Sequence, residues 1–269
     1  MKVEIFIHKN CIDCEMLLEF LQQKNLIDKV EIINTEKYPF LALERGVIST
    51  PSVFIDGKLM YAGIVDFEEF EEILTKGEKS AEKEKKMDVK ELANKIMAGI
   101  VDSFAATSWL YVNKDFKGIL EQKDFVLAVS GLASINDTQL LNELYREIEN
   151  ELILHSEDYF MNWKNKMIKN ISYNFIRELY LLYNRKVEKE IIKNRYPLEV
   201  FAHWLMVRGG TTGRVGLRIH PLSNKDVMAR MSEVYNHIFE NYDTIWDYII
   251  KEQKEISEKI LNSKLFANL

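Results

Sequence analysis

Cys11, Ile12, Asp13 and Cys14 are the residues whose types and spacing most plainly specify chemistry, two thiols three positions apart in a chain that has no other cysteine. They follow a β-like run and open a helical pattern. A cysteine in the first turn of a helix faces unpaired backbone N–H groups and the positive end of the helix dipole, and both favour thiolate over thiol. One turn later the second sulfur is placed to attack a mixed disulfide formed at the first. Cys11 is therefore the expected nucleophile, and Cys14 the resolving, more buried thiol. A tetrahedral zinc site needs four ligands, and this pair finds only His8 as a third, so no metal is assigned to it. Cysteines that merely fill core volume have no reason to open a helix after a strand.

The elements that must position these thiols are legible around them. Lys2 to His8 alternates polar and apolar residues and reads as a strand. From Cys11 to Gln23, Cys14, Leu17, Leu18 and Leu21 recur at helical spacing on one face. Val30 to Ile33 is a second strand, and Tyr38 to Glu44 a short helix opened by Pro39 and stopped by Gly46. Ser52 to Ile55 and Leu59 to Ala62 flank Asp56-Gly57, a strong hairpin signal. Asp66 followed by Glu69 forms a capping box for a last helix with Phe67, Phe70 and Leu74 on its buried face. The predicted order is β-α-β-α-β-β-α. Residues 76–86 are almost wholly charged and have no apolar stripe, which predicts a domain 1–76, a charged linker 77–87 and a second domain 88–269.

Residues 1 to about 76 resemble the thioredoxin superfamily, in particular its short glutaredoxin-like members. The resemblance rests on the strand before the cysteine pair, on Ser49-Thr50-Pro51-Ser52-Val53-Phe54-Ile55-Asp56-Gly57, and on the hairpin that follows. It implies that Pro51 is cis and faces the thiols, and that Thr50 offers backbone hydrogen bonds to an extended substrate beside Ile12 and Asp13. It further implies thiol–disulfide oxidoreductase chemistry carried by Cys11, Cys14 and Pro51, with no cofactor. The intervening pair is Ile-Asp, without the proline of typical thioredoxins and glutaredoxins. Repulsion from Asp13, with Glu15 nearby, opposes the helix dipole at Cys11 while Lys9 pushes the other way, so the site leans toward a reductant. The paired glycines with which glutaredoxins approach glutathione stand here as Ala62-Gly63, a partial match. A disulfide-containing protein or a small dithiol is the better partner, with a separate reductase to recycle the pair.

The remainder reads as all-α. With 11 glycines and 4 prolines in 269 residues, the two strongest chain-breakers are scarce, and no proline lies between Pro51 and Pro197. Apolar residues recur at helical spacing from Asp88 to Val112 and again from Asp137. The run to Arg195 contains neither Gly nor Pro, and a break is expected near Asn165 to Asn170. Pro197 should open a helix through Trp204 that Gly209-Gly210 stops, leaving a long loop to Leu222 before a cap at Ser223 or Asn224. In that loop Arg208, Arg214 and Arg218 are the expected contacts for an anion or a protein partner, although no nucleotide motif matches. Glu151 with His155, Glu199 with His203 and Glu233 with His237 share an i, i+4 spacing, the alternative metal set for this half. The same spacing is that of an ordinary surface pair, and di-iron helices use a shorter one. Trp109, Tyr145, Trp163, Trp204 and Trp246 read as bundle core.

The whole is an α/β domain followed by an all-α helical domain that supplies specificity, a homodimer contact or a ligand site. At 47% apolar residues and a net charge of −6, the chain builds a core and advertises neither nucleic-acid nor anionic-membrane binding. No apolar run approaches the ~20 residues of a membrane span, so a cytoplasmic protein is expected. The alternative function is non-enzymatic, a docking module in which the helical domain binds a ligand or metal, with di-iron as one form.

Overall fold

The computed structural model describes residues 1–9, 11–77, 88–134, 138–213 and 224–262. Its first part has strands β1 (Val3–Ile7), β2 (Glu31–Asn34), β3 (Ser52–Ile55) and β4 (Lys58–Ala62), with helices α1 (Ile12–Gln23), α2 (Pro39–Glu44) and α3 (Phe67–Lys76) between and after them. This is the predicted order. The strands lie as β2-β1-β3-β4, with β1 parallel to β2 and antiparallel to β3, and β3 antiparallel to β4.

One face of the sheet, through Val3, Ile5, Ile7, Val53 and Tyr61, packs against Leu17, Leu18 and Leu21 of α1 and Phe70 and Leu74 of α3. The other buries Phe6, Ile33 and Phe54 under Ala42 of α2. Because β1 is central and covered on both faces, all five of its residues are buried, including Glu4. The alternation of polar and apolar residues suggested an exposed side that this strand lacks. Glu4 instead takes an ion pair from Lys2 at 2.8 Å and another from Arg45 at 3.2 Å. Asp56 and Gly57 both have positive φ, 48° and 81°, which is what the tight hairpin between β3 and β4 demands. Asp66 caps α3 by accepting from the Glu69 N–H at 3.0 Å.

The helices that follow are α4 (Val89–Asp102), α5 (Phe104–Asn113), α6 (Phe116–Leu120), α7 (Lys123–Val129), α8 (Thr138–Leu154), α9 (Ser156–Tyr183), α10 (Lys189–Arg195), α11 (Leu198–Gly213), α12 (Lys225–Glu240) and α13 (Tyr242–Asn262). Packing groups the chain into two compact units, one of residues 1–100, 120–156 and the end of α13 from 259, the other of residues 101–119 and 157–258. This grouping cuts across the boundary expected at 77–87, of which residues 78–87 lie outside the described residues.

In the first unit, edge strand β4 does not face solvent alone. Phe125 to Ala128 of α7 are all buried, α7 packs along β4, and the Lys58 ammonium donates to the Ala133 carbonyl at 2.8 Å. Gly99 of α4 lies so close to α7 that a Cβ there would sit 2.4 Å from the Val129 Cβ.

The second unit departs from the expected helix limits in three places. Ser103 interrupts the Asp88–Val112 run, with extended backbone at φ −78° and ψ 116°. Residues 165–170 form no break, because Met167, Ile168 and Ile171 keep the buried stripe intact and Asn170 donates to the Val101 carbonyl at 2.9 Å. Gly209 and Gly210 do not stop α11, which runs to Gly213. Gly209 is there for proximity, since a Cβ on it would lie 3.0 Å from the Ser108 Cβ of α5. Asn224 caps α12 as expected, accepting from the N–H groups of Asp226 and Val227 at 3.1 and 3.2 Å. Trp246 is wholly buried, whereas Trp109, Trp163 and Trp204 are half-buried.

Candidate functional site

Cys11 occupies the N-cap position of α1 with extended backbone, φ −108° and ψ 115°, and Cys14 lies one turn into the helix. The two are joined as a disulfide with Cα atoms 5.2 Å apart. The Cys14 N–H donates to the Cys11 sulfur at 3.2 Å, and the Glu15 N–H donates to the Cys11 carbonyl at 3.1 Å. The sulfur of Cys11 thus does what a Ser or Asp side chain does at other helix starts, satisfying an orphan amide. Cys11 is half-buried and Cys14 is wholly buried among Leu17, Leu18, Tyr61 and Phe70, the asymmetry expected of an attacking and a resolving thiol.

The segment Ser49–Ser52 meets this pair from β3. The Thr50–Pro51 peptide is cis. The Thr50 carbonyl oxygen lies 3.5 Å from the Cys11 sulfur, and the Thr50 hydroxyl donates to the same sulfur at 3.7 Å. Two further bonds hold the turn: the Ser52 hydroxyl donates to the Ser49 carbonyl at 2.6 Å, and the Gly63 N–H donates to the Pro51 carbonyl at 2.8 Å. Gly63 has φ +90°, and a Cβ on it would lie 3.2 Å from the Ser49 hydroxyl. Its role here is backbone support of the Pro51 turn. Ile12 and Asp13, between the thiols, are exposed. His8 faces Glu36, with Nε2 at 3.5 Å from its carboxylate.

Burial drives the Tyr61 phenol far above its ordinary range, with Glu69 adding to the effect. Sequence reasoning saw the cysteines, Thr50 and Pro51. It missed the Thr50 hydroxyl, the Gly63 tie and the near-complete burial of Glu15, which is 2% exposed. The position of Glu15, four residues after Cys11, was the available signal.

The other residues singled out are spread more widely. Glu151 lies 3.9 Å from His155 in the first unit. In the second, Glu199 and His203 are exposed on α11. Glu233 accepts from the Tyr111 hydroxyl at 3.0 Å and pairs with Lys164 at 2.7 Å, while His237 Nδ1 meets the buried Ser172 hydroxyl at 3.0 Å. Among the described residues no three His, Cys, Asp or Glu side chains gather as a metal site. Arg208 donates to Glu178 at 2.6 Å, beside Trp204, whose ring N–H donates to the same carboxylate at 2.9 Å. Arg214 and Arg218 lie outside the described residues. No described helix is long and apolar enough to cross a membrane.

Residues 1–75 match the family model described as the Thioredoxin domain. No curated protein and no solved structure matches the chain. The N-terminal part is therefore a thioredoxin-like domain with a close-spaced cysteine pair, an arrangement that fits redox chemistry.

Proposed function

We propose that the thioredoxin-like domain makes this protein a thiol–disulfide oxidoreductase that reduces or exchanges a disulfide in a protein or small dithiol partner. The observation that carries the reading is the Cys11 sulfur at the N-cap of α1, 3.2 Å from the Cys14 N–H and 3.5 Å from the Thr50 carbonyl beside cis-Pro51. Cys11 thiolate attacks one sulfur of the client disulfide, and the other client sulfur leaves as thiolate. Cys14 then attacks Cys11 in the mixed disulfide, which frees the reduced client and leaves Cys11–Cys14 oxidised. The chain has no third cysteine, so the electrons that restore the dithiol come from a separate reductase. Exposed Asp13 between the thiols opposes charge at Cys11 and favours the reducing direction.

The test is trapping. Cys14→Ser should leave a client covalently attached to Cys11 in native lysate, and purified wild-type protein should reduce a protein disulfide in a reaction that Cys11→Ser abolishes. Absence of both a trapped client and turnover removes the oxidoreductase reading. A reduction potential well above the thioredoxin value of about −270 mV removes the preference for the reducing direction.

A further inference from the structure

The negative charge of this chain is not spread along it. Residues 1–77 carry 14 Asp and Glu against 8 Lys and Arg, whereas residues 78–269 carry 28 of each kind. The whole net charge of −6 therefore belongs to the part that holds the cysteine pair. Ion pairs within it, such as those of Glu4 with Lys2 and Arg45, rearrange charge but cannot remove the excess. The field of such an excess extends about 10 Å into solvent at 0.1 M salt and steers charged partners as they approach.

Part of the excess stands around the reactive sulfur, on three separate segments. Asp13 is exposed in the first turn of α1, between the cysteines. Glu36 is exposed where the chain leaves β2, beside His8 at the end of β1, three residues before Cys11. Asp66 and Glu68 are exposed at the start of α3, just beyond Gly63, whose N–H holds the Pro51 carbonyl. Against these four carboxylates the permanent cations of the same segments are Lys9 and Lys37. The segments also expose apolar side chains, Ile12 at 39% and Ile64 at 57%.

We infer that the client is a cationic polypeptide, one whose disulfide cysteine has an apolar neighbour and lies among Lys or Arg residues. This deepens the oxidoreductase reading above and rests on it. Cys11 selects a disulfide as ligand, and the charge around Cys11 selects which polypeptides bring one. An anionic disulfide, such as that of glutathione, meets repulsion at the same place.

Two peptides of equal length test this on the full reduced chain. Each holds one cysteine beside a Leu, activated as its thiopyridyl disulfide, and the flanking residues are three Lys in one peptide and three Glu in the other. Cys11 thiolate attacks the peptide sulfur, the bond to the thiopyridyl group breaks, and thiopyridone leaves with the electron pair and is followed by its absorbance. Cys14 then displaces the peptide as thiolate, which leaves the pair oxidised. Dividing each rate by that of 2-mercaptoethanol with the same peptide removes the reactivity of the peptide itself. At low salt the Lys peptide should react roughly 10-fold faster than the Glu peptide, and the ratio should shrink severalfold in 1 M salt, where screening acts within about 3 Å. Equal corrected rates, or a preference for the Glu peptide, overturn the inference.

Asp13→Asn combined with Glu68→Gln tests the location, since both side chains are exposed and the helices are capped by Cys11 and Asp66 instead. In this variant the ratio between the two peptides should fall about threefold at low salt. Because the ratio compares two peptides on one protein, any change in the acidity of Cys11 cancels. An unchanged ratio overturns the assignment to these segments. Should the variant fail to fold, the salt dependence of the wild-type ratio decides. Thiopyridone released from neither peptide tells against the dithiol chemistry itself, so the two failures are distinct.

Discussion

The backbone N–H of Cys14 donates to the sulfur of Cys11 at 3.2 Å. That amide is placed to support charge on the Cys11 sulfur in the dithiol, while the Cys14 sulfur itself stays buried in the core. The hydroxyl and carbonyl of Thr50 approach the same sulfur from the opposite chain segment, one favouring negative charge and the other opposing it.

Thr50→Val keeps the shape and removes the donor. A hydrogen bond to a charged acceptor contributes about 1.5 kcal/mol or more at good geometry, and at 3.7 Å this one should contribute less, so alkylation of Cys11 near neutral pH should slow about fivefold. The pH dependence of iodoacetamide labelling in Cys14→Ser and in Cys14→Ser with Thr50→Val measures it. Identical profiles would show that the hydroxyl does not act on the thiolate.

Gly63 should resist replacement although it touches no sulfur. A side chain there must adopt φ +90° and accept a 3.2 Å approach to the Ser49 hydroxyl. Gly63→Ala should lower unfolding free energy by about 1–2 kcal/mol in denaturant titration and loosen the Pro51 turn that its N–H holds. Unchanged stability would mean that the turn rearranges freely.

Replacement of Gly209 distinguishes a packing glycine from a helix stop. In an open helix Gly→Ala gains about 1 kcal/mol. Here a Cβ would lie 3.0 Å from the Ser108 Cβ, so Gly209→Ala should fail to gain it and Gly209→Val should lose roughly 1–3 kcal/mol. A stabilised Gly209→Val would contradict close contact between α5 and α11.

His237 sets a pH dependence of stability in the second unit. Burial lowers its proton affinity below the ordinary value of 6.5, against a smaller opposing effect of Glu240, and its Nδ1 meets Ser172. Well above 6.5 the ring is neutral in both folded and unfolded chains and contributes no slope. As pH falls through that value the unfolded chain takes up a proton that the folded chain resists, so stability declines until the folded-state value is passed. His237→Gln should flatten this decline between about pH 7 and 5 in thermal unfolding, where the ordinary histidine titrates. A slope as steep as in wild type assigns the effect to other groups.

The local signals that succeeded were of short range. A strand, a cysteine at a helix start and Asp56-Gly57 each determine backbone within a few residues, and the structure has all three. The failures came where one element meets another. Gly209 looks like a stop until Ser108 lies against it, and Asn165 to Asn170 looks like a break until Asn170 finds the Val101 carbonyl. The packing of α7, residues 123–129, along the edge of β4 likewise has no local signal in the sequence.

By itself the sequence determined the order of the first seven elements, the cysteine pair at the opening of α1 and the helical character of the rest, because propensity, capping and periodicity act along the chain. Tertiary structure alone decided that Glu4 and Glu15 are buried, that Thr50 and Gly63 meet around Pro51 beside Cys11, and that helices from 120–156 belong with the sheet. Burial and contact between distant residues depend on which surfaces cover one another, and spacing along one strand or helix does not contain that information.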